Sequence, residues 1–246
     1  MYKLFSLLTI SLLLFSCNNP NKQSSQNQNP TTKEKPDISK FNYAVVWDWT
    51  TKDKELVIEN ASTFTLELLN LWENNDIENV YFDSEAEVKN DMQFPSISFF
   101  VKSQSITGAK IILNDLTIVK KGIASYKLYP VGMLWLKQTL DSTKINMNDK
   151  SFVTIWKTKN KETIDDLTKT QSDTILSLWN NGKIENVYFD VQGVMDKNKT
   201  TDFVFYIRAA NMNEAEIIAK SLPFYKENIA TYQIFPAGVF WLGINK

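Results

Sequence analysis

From residue 41 onward the chain writes one order of apolar and polar patterns and then writes it again. AVVWDWT (44–50) and FVTIWKT (152–158) are β-branched and aromatic runs, the composition of strands. After each, apolar residues recur at helical spacing: Leu68, Leu71 and Trp72 in the first half, Ile175, Leu178 and Trp179 in the second. Ser62 or Thr63 and Ser172 are the candidate N-caps, and the helices stop near Asn75 and Gly182. ENVYFD then predicts a strand in both halves, followed by a polar loop. SISFFVK (96–102) and DFVFYIR (202–208) predict the next strand. A second helix carries Ala109, Ile112 and Leu116 on one face, mirrored by Ala215, Ile218 and Leu222, with Asn213, Glu214 and Glu216 as the start signal of the second copy. SYKLYP and TYQIFP close each set as strands.

The repetition extends to the letters. LWENNDIENVYFD (71–83) returns as LWNNGKIENVYFD (178–190), and YKLYPVGMLWL (126–136) returns as YQIFPAGVFWL (232–242), at an offset one residue shorter. The slip falls where both halves carry a polar loop, which tolerates insertions. These strings predict a tandem duplication, 41–137 and 150–246, joined by a connector at 138–149. The order βαββαβ in each half is the ferredoxin-like plan, a four-stranded antiparallel sheet with both helices on one face. The other sheet face would be a large apolar patch if left in water. The expected fold class is therefore α+β: two tandem ferredoxin-like halves packed sheet to sheet as an intrachain pseudo-dimeric α/β barrel.

Composition narrows the chemistry. The chain has no histidine and one cysteine, which removes imidazole bases, the commonest metal ligand and any intrachain disulfide. With a net charge of −1 and mixed signs along the chain, no basic face invites nucleic acid. Neither a GxGxxG nor a Walker-type string is present. No metal site and no cofactor is expected.

The lone cysteine has a context. MYKLFSLLTISLLLFSC has a basic start at Lys3 and an apolar run too short to span a bilayer permanently, as in a signal-peptide core. Its ending, LFSC, resembles a bacterial lipobox. That resemblance implies cleavage before Cys17 and lipidation there, so that residues 1–17 are the leader and the bilayer is a partner. Each buried CH₂ of an acyl chain contributes about 0.8 kcal/mol to such anchoring. Residues 18–40 are rich in Asn, Gln, Ser, Pro and Lys and predict a disordered tether, whose ends as a coil sit about 25–30 Å apart. By resemblance to lipoprotein sorting signals, Asn18 after the cysteine points to the outer membrane, facing the periplasm.

The run NGKIENVYFDVQG, with SLPFYKENIATYQIFPAG further on, resembles dimeric α/β-barrel proteins, especially the muconolactone-isomerase-like and YciI-like groups. Leu222, Pro223 and Phe224 match the turn that follows the second helix in those groups; the first half departs from it with Leu116, Thr117 and Ile118. The resemblance implies the barrel. It does not imply one activity, since members include isomerases, small monooxygenases and haem-degrading enzymes, and the histidine several of them use is missing.

Alternation along ENVYFD puts Val80 and Phe82 on the helix side and Tyr81 and Asp83, with Tyr188 and Asp190, towards the shared interior. Along the next strand Ile97, Phe99 and Val101 go to the helices, and Ser98, Phe100 and Lys102 face inward, as do Val204, Tyr206 and Arg208. Trp49 and Trp156 are taken as equivalent strand residues lining the interface. Tyr81, Asp83, Lys102, Tyr188, Asp190, Arg208, Trp49 and Trp156 are thus the candidate pocket, with no catalytic residue assigned. The competing reading makes Asp83 and Asp190 the start of a polar turn, paired with Lys102 and Arg208 at the strand ends. Trp135 and Trp241 follow Pro-x-Gly and pack across the halves or meet an envelope protein. The expected function is a membrane-anchored, non-catalytic small-molecule-binding or scaffold module. The alternative is a cofactor-free isomerase with a carboxylate and tyrosine cleft between the repeats.

Overall fold

The computed structural model describes residues 40–89, 92–138, 142–159, 165–190 and 201–244. The leader with Cys17, all but the last residue of the expected tether, and the polar loop at 191–200 lie outside the described residues. Residues Ile38–Lys246 form one compact unit that holds both repeats.

In the first half β1 (Phe41–Trp49) leads to α1 (Lys54–Glu73), β2 (Ile77–Lys89), β3 (Met92–Ser103), α2 (Ile106–Asn114), a short α3 (Thr117–Lys120), β4 (Ala124–Val131) and β5 (Met133–Leu136). The second half runs β6 (Lys150–Thr158), α4 (Asp165–Asn180), β7 (Ile184–Phe189), β8 (Phe203–Ala209), α5 (Met212–Ser221), a short α6 (Pro223–Lys226) and β9 (Ala230–Leu242). The fold is α+β.

The first helix begins earlier than Ser62 or Thr63. Asp53 caps it, accepting from the Leu56 amide at 3.2 Å, because Val57, Phe64 and Leu68 extend the buried stripe two turns towards the N-terminus. Ser172 likewise lies inside α4, and Asn211, not Asn213, caps α5 through the Glu214 amide. The stops fall as expected. Asn75 and Gly182 take φ of 58° and 68°, and the following amides, Asp76 and Lys183, return to Leu71 O and Leu178 O at 2.8 and 2.9 Å. Both are Schellman endings.

All strands pair antiparallel in one nine-stranded sheet of order β4-β1-β3-β2-β9-β6-β8-β7-β5. The end strands of that order, β4 and β5, are one stretch of chain interrupted at Gly132, so the order returns on itself. β4 pairs with β1 of its own half, and β5 pairs with β7 of the other. β9 does the same in one run: Ala230 to Gly238 pair with β6, and Val239 to Leu242 pair with β2. The switch points are Gly132 and Gly238. An added Cβ would lie 2.4 Å from Phe189 O at the first and 2.3 Å from Phe82 O at the second, where φ is also +95°. Only glycine lets these strands cross so close to another backbone.

Three apolar clusters are found among the described residues. One lies under the helices of each half, with Val45, Trp47, Phe99 and Leu113 in the first and Trp156, Phe205, Ile207 and Ala215 in the second. The third draws on both halves, with Ala44, Val46, Tyr81 and Phe100 against Val153, Tyr188, Val204 and Tyr206. Phe82 departs from its expected place under the helices: it is 38% exposed and stands outside the first half's core.

Candidate functional site

Strict alternation would send Glu78 and Glu185 to the helix side with Val80 and Val187. A register shift intervenes in both strands, between Glu78 and Tyr81 and between Glu185 and Tyr188. At each shift an asparagine, Asn79 or Asn186, takes a left-handed conformation, with φ of 52° and 48°. Asparagine tolerates that region better than other side-chain-bearing residues. The extra residue turns Glu78 and Glu185 to bond the inward tyrosines while leaving Val80 and Val187 in the helix-side cores.

The result is a buried network built the same way twice. Tyr188 donates to Glu78 Oε1 at 2.6 Å and accepts from the Asn79 side chain. Tyr81 accepts from the Asn186 side chain at 2.7 Å and bonds Glu185. Each tyrosine therefore reaches across to the glutamate and asparagine of the other half. Lys102 lies 3.4 Å from Glu78, and Arg208 lies 3.7 Å from Glu185. Ser151 donates to Glu185 at 2.7 Å, and Ser98 and Tyr206 share a bond of 2.9 Å. The rings are stacked: Tyr81 on Tyr206 with centroids 3.8 Å apart, and Tyr188 on Phe100 at 3.7 Å. Stacked pairs add about 0.5–1.5 kcal/mol each beyond their burial.

Burial raises the Tyr81 and Tyr188 hydroxyls well above the usual tyrosine range, and the facing carboxylates, Glu185 and Glu78, push the same way. Tyr206 is raised by burial too, against a lowering bond from Ser98. These hydroxyls stay protonated, and that of Tyr188 donates to Glu78. Rings at van der Waals separation leave no room between them for a ligand, and the three tyrosine hydroxyls are each bonded within the network, while Glu185 Oε2 and Arg208 Nε are buried without a hydrogen-bond partner among the described residues.

The structure thus brings Tyr81 and Tyr188 together, as the alternation requires, and adds Glu78 and Glu185, which alternation alone hid. Lys102 and Arg208 serve these glutamates. Lys102 also donates to Asn75 at 2.8 Å, and Arg208 to Asn146 O at 3.3 Å. Asp83 is instead ion-paired with Lys150 of the other half, and Asp190 follows β7 with its amide on Asp202 O at 2.9 Å. Trp49 and Trp156 do not line the interface. Trp49 lies in the first helix-side core, donating to Pro95 O at 2.6 Å, and Trp156 lies in the second, stacked on Phe203 and Phe205. Nor are the two equivalent: Trp156 pairs with Tyr232, and the residue that pairs with the matching Tyr126 is Trp47.

Two further tryptophans hold the crossing strands. Trp72 donates to Gly243 O at 2.9 Å and Trp179 to Lys137 O at 2.6 Å, each just past the last strand of the other half. Trp135 and Trp241 are the extra residues in bulges of β5 and β9, 37% and 38% exposed. Trp135 packs edge-on against Phe189 of the other half.

Open space lies beside the network. One cavity of about 240 Å³ is lined by Val46, Asp48, Ser98, Lys127, Phe235 and Pro236. A second, of about 420 Å³, is lined by Lys127, Tyr129, Ile155, Lys157, Thr231 and Gln233. Both draw on strands of the two halves. Among the described residues no cluster of three or more carboxylates could hold a metal ion. A haem iron, handled by some dimeric α/β-barrel proteins, would find no imidazole in this chain, and the inward faces are taken up by stacked rings.

No protein-family model matches the chain, and no curated protein matches it by sequence. Solved structures match it by shape. An arginine-to-lysine variant of the chlorite dismutase from Candidatus Nitrospira defluvii aligns with a TM-score of 0.50 at 8% identity, covering 82% of this chain and 91% of that one. A tryptophan-to-phenylalanine variant of the same enzyme, solved with cyanide, aligns with a TM-score of 0.50 at 8% identity over 82% and 90%. The chain therefore has the dimeric α/β-barrel, ferredoxin-like fold of chlorite dismutase-like proteins, and at this identity the likeness is one of fold.

Proposed function

We propose that this protein is a lipid-anchored, non-catalytic binding or scaffold module of the bacterial envelope, built by tandem duplication into an intrachain pseudo-dimer. The observation that carries the non-catalytic reading is the buried Tyr–Glu–Asn network, whose tyrosine hydroxyls bond the glutamates and asparagines of the other half. Acid–base groups that a cleft enzyme would direct at a substrate are here spent on one another, buried and stacked. Duplication is supported by register: β5 against β7 and β9 against β2 pair residue for residue alike, with Leu134 on Tyr188 matching Phe240 on Tyr81. The isomerase alternative, with Asp83, Asp190, Tyr81 and Tyr188 in one cleft, draws no support from tyrosines that are fully buried. The likeness to muconolactone-isomerase-like and YciI-like proteins rests on sequence pattern.

Anchoring rests on the lipobox-like LFSC and the polar stretch after it. No helix among the described residues is long and apolar enough to cross a membrane. Palmitate labelling and cell fractionation test it: the wild-type chain is expected to take label and sediment with outer membrane, and Cys17→Ser to lose both. A turnover screen over small lactones and unsaturated acids tests the rest. No activity is expected; robust turnover abolished by Asp83→Ala or Asp190→Ala would overturn the reading.

A further inference from the structure

The two halves agree at the network and disagree at the cavities. Glu78, Asn79 and Tyr81 repeat as Glu185, Asn186 and Tyr188 without change. The cavity residues can be matched through strand register. Val46 pairs with Lys127 as Ile155 pairs with Gln233, and Asp48 pairs with Ser125 as Lys157 pairs with Thr231. Strand position for strand position, Asp48 of the first half stands where the second has Lys157, and Lys127 stands where it has Gln233. Lys127 lines both spaces, beside Asp48 in the first and beside Lys157 in the second.

The second space is the one-signed one. Lys127 and Lys157 both line it, no carboxylate does, and neither lysine has an ion-pair partner among the described residues. Tyr129 and Gln233 share a bond of 3.2 Å across it, from one half to the other. Ile155, part of the inter-half apolar cluster, supplies a nonpolar wall. At about 420 Å³ the space is within the range of small-molecule sites, about 300–1,000 Å³.

Resting on the binding-module reading above, we infer that this cavity takes a small organic anion. Lys127 and Lys157 hold its charged head from opposite halves, and its apolar body lies against Ile155 and the Tyr129 ring. Charge-assisted bonds to an anion are the strong ones, so the lysines set the affinity and the apolar wall sets the preference for an organic body. Because the lysines come from different halves, the site exists only where the two halves meet.

The test is an NMR titration of the full chain in detergent with benzoate, with benzyl alcohol and inorganic phosphate as separate arms. Benzoate is expected to shift the amides of Lys127, Lys157 and Gln233 saturably. Lys127→Gln and Lys157→Gln, both exposed changes that leave the fold intact, are each expected to weaken it about ten-fold, and Lys226→Gln to leave it unchanged. Benzyl alcohol and phosphate are expected to bind at least about ten-fold more weakly, the first lacking the charge and the second the apolar body. Equal binding of benzyl alcohol would overturn the inference while leaving the cavity a small-molecule site. Phosphate binding as tightly as benzoate would overturn the organic part of the assignment. Benzoate affinity unmoved in the doubly substituted protein, or no saturable shift at these amides, would overturn the inference outright; the turnover screen decides the broader reading independently.

Discussion

Asn79 and Asn186 decide what the repeated strand presents inward. Their left-handed backbone inserts one residue into the alternation and turns a glutamate to the buried tyrosine of the other half. Parity reads correctly at Val80 and Tyr81 and at Val187 and Tyr188, so the two tyrosines were legible, and it fails before the asparagines, so Glu78 and Glu185 were not. An asparagine directly before a Val-Tyr-Phe run, in both copies, was the available signal for a bulge. Trp49 was misplaced for a different reason: strand parity sets it with Val45 and Trp47, under the helices. The network makes two predictions. Tyr188→Phe leaves Glu78 and Asn79 buried without their partner and is expected to cost about 1–3 kcal/mol in urea unfolding. The second concerns pH. Tyr81, Tyr188 and Tyr206 have raised values in the folded chain, so below about pH 10, the ordinary tyrosine value, both folded and unfolded forms are protonated and these groups do not move stability. Above it the unfolded chain releases protons that the folded chain keeps, so stability falls as pH rises. Absorbance titration of the native protein is expected to leave these three phenols un-ionised until the chain unfolds.

Among the elements, the strands that cross between halves carry the architecture. β4 with β5, and β9 alone, each begin on their own half and finish on the other, and Gly132 and Gly238 mark the crossings. The sequence shows the strings YPVGMLWL and FPAGVFWL plainly. It reads them as a strand followed by a bend, since neither string says which neighbour its far end will join. The tryptophan of the repeated LW string was likewise legible as apolar and helical, but its indole donor to the end of the other half's strand is a long-range fact. Gly238→Ala is expected to cost roughly 2–4 kcal/mol, from a positive φ and a Cβ pressed on Phe82 O. Thermal unfolding measures it. A substitution at Gly122, where φ is +66° but an added Cβ meets nothing within 4 Å, is expected to cost less, and equal losses at the two sites would remove the crossing from the explanation.

For the whole molecule, the strands of each half alone would expose Tyr81, Phe100, Tyr188, Tyr206 and their neighbours to water. Together they bury them, bonded and stacked across the halves. Counting elements and asking what covers the bare face pointed to a shared apolar cluster, but not to the single nine-stranded sheet that joins the halves. Which polar groups would meet there did not follow, because that depends on two bulges and on a pairing register that differs by three residues between the halves at the first strand. Neither half is expected to be stable without the other, so the described chain opens as one. Native-state hydrogen exchange on the full chain and its Tyr188→Phe variant tests this most directly. The account predicts that the substitution, although in the second half, lowers the opening free energy of the slowest amides in β1 and β3 as much as in β6 and β8. Loss of protection confined to β6, β7 and β8, with β1 and β3 unmoved, would contradict it.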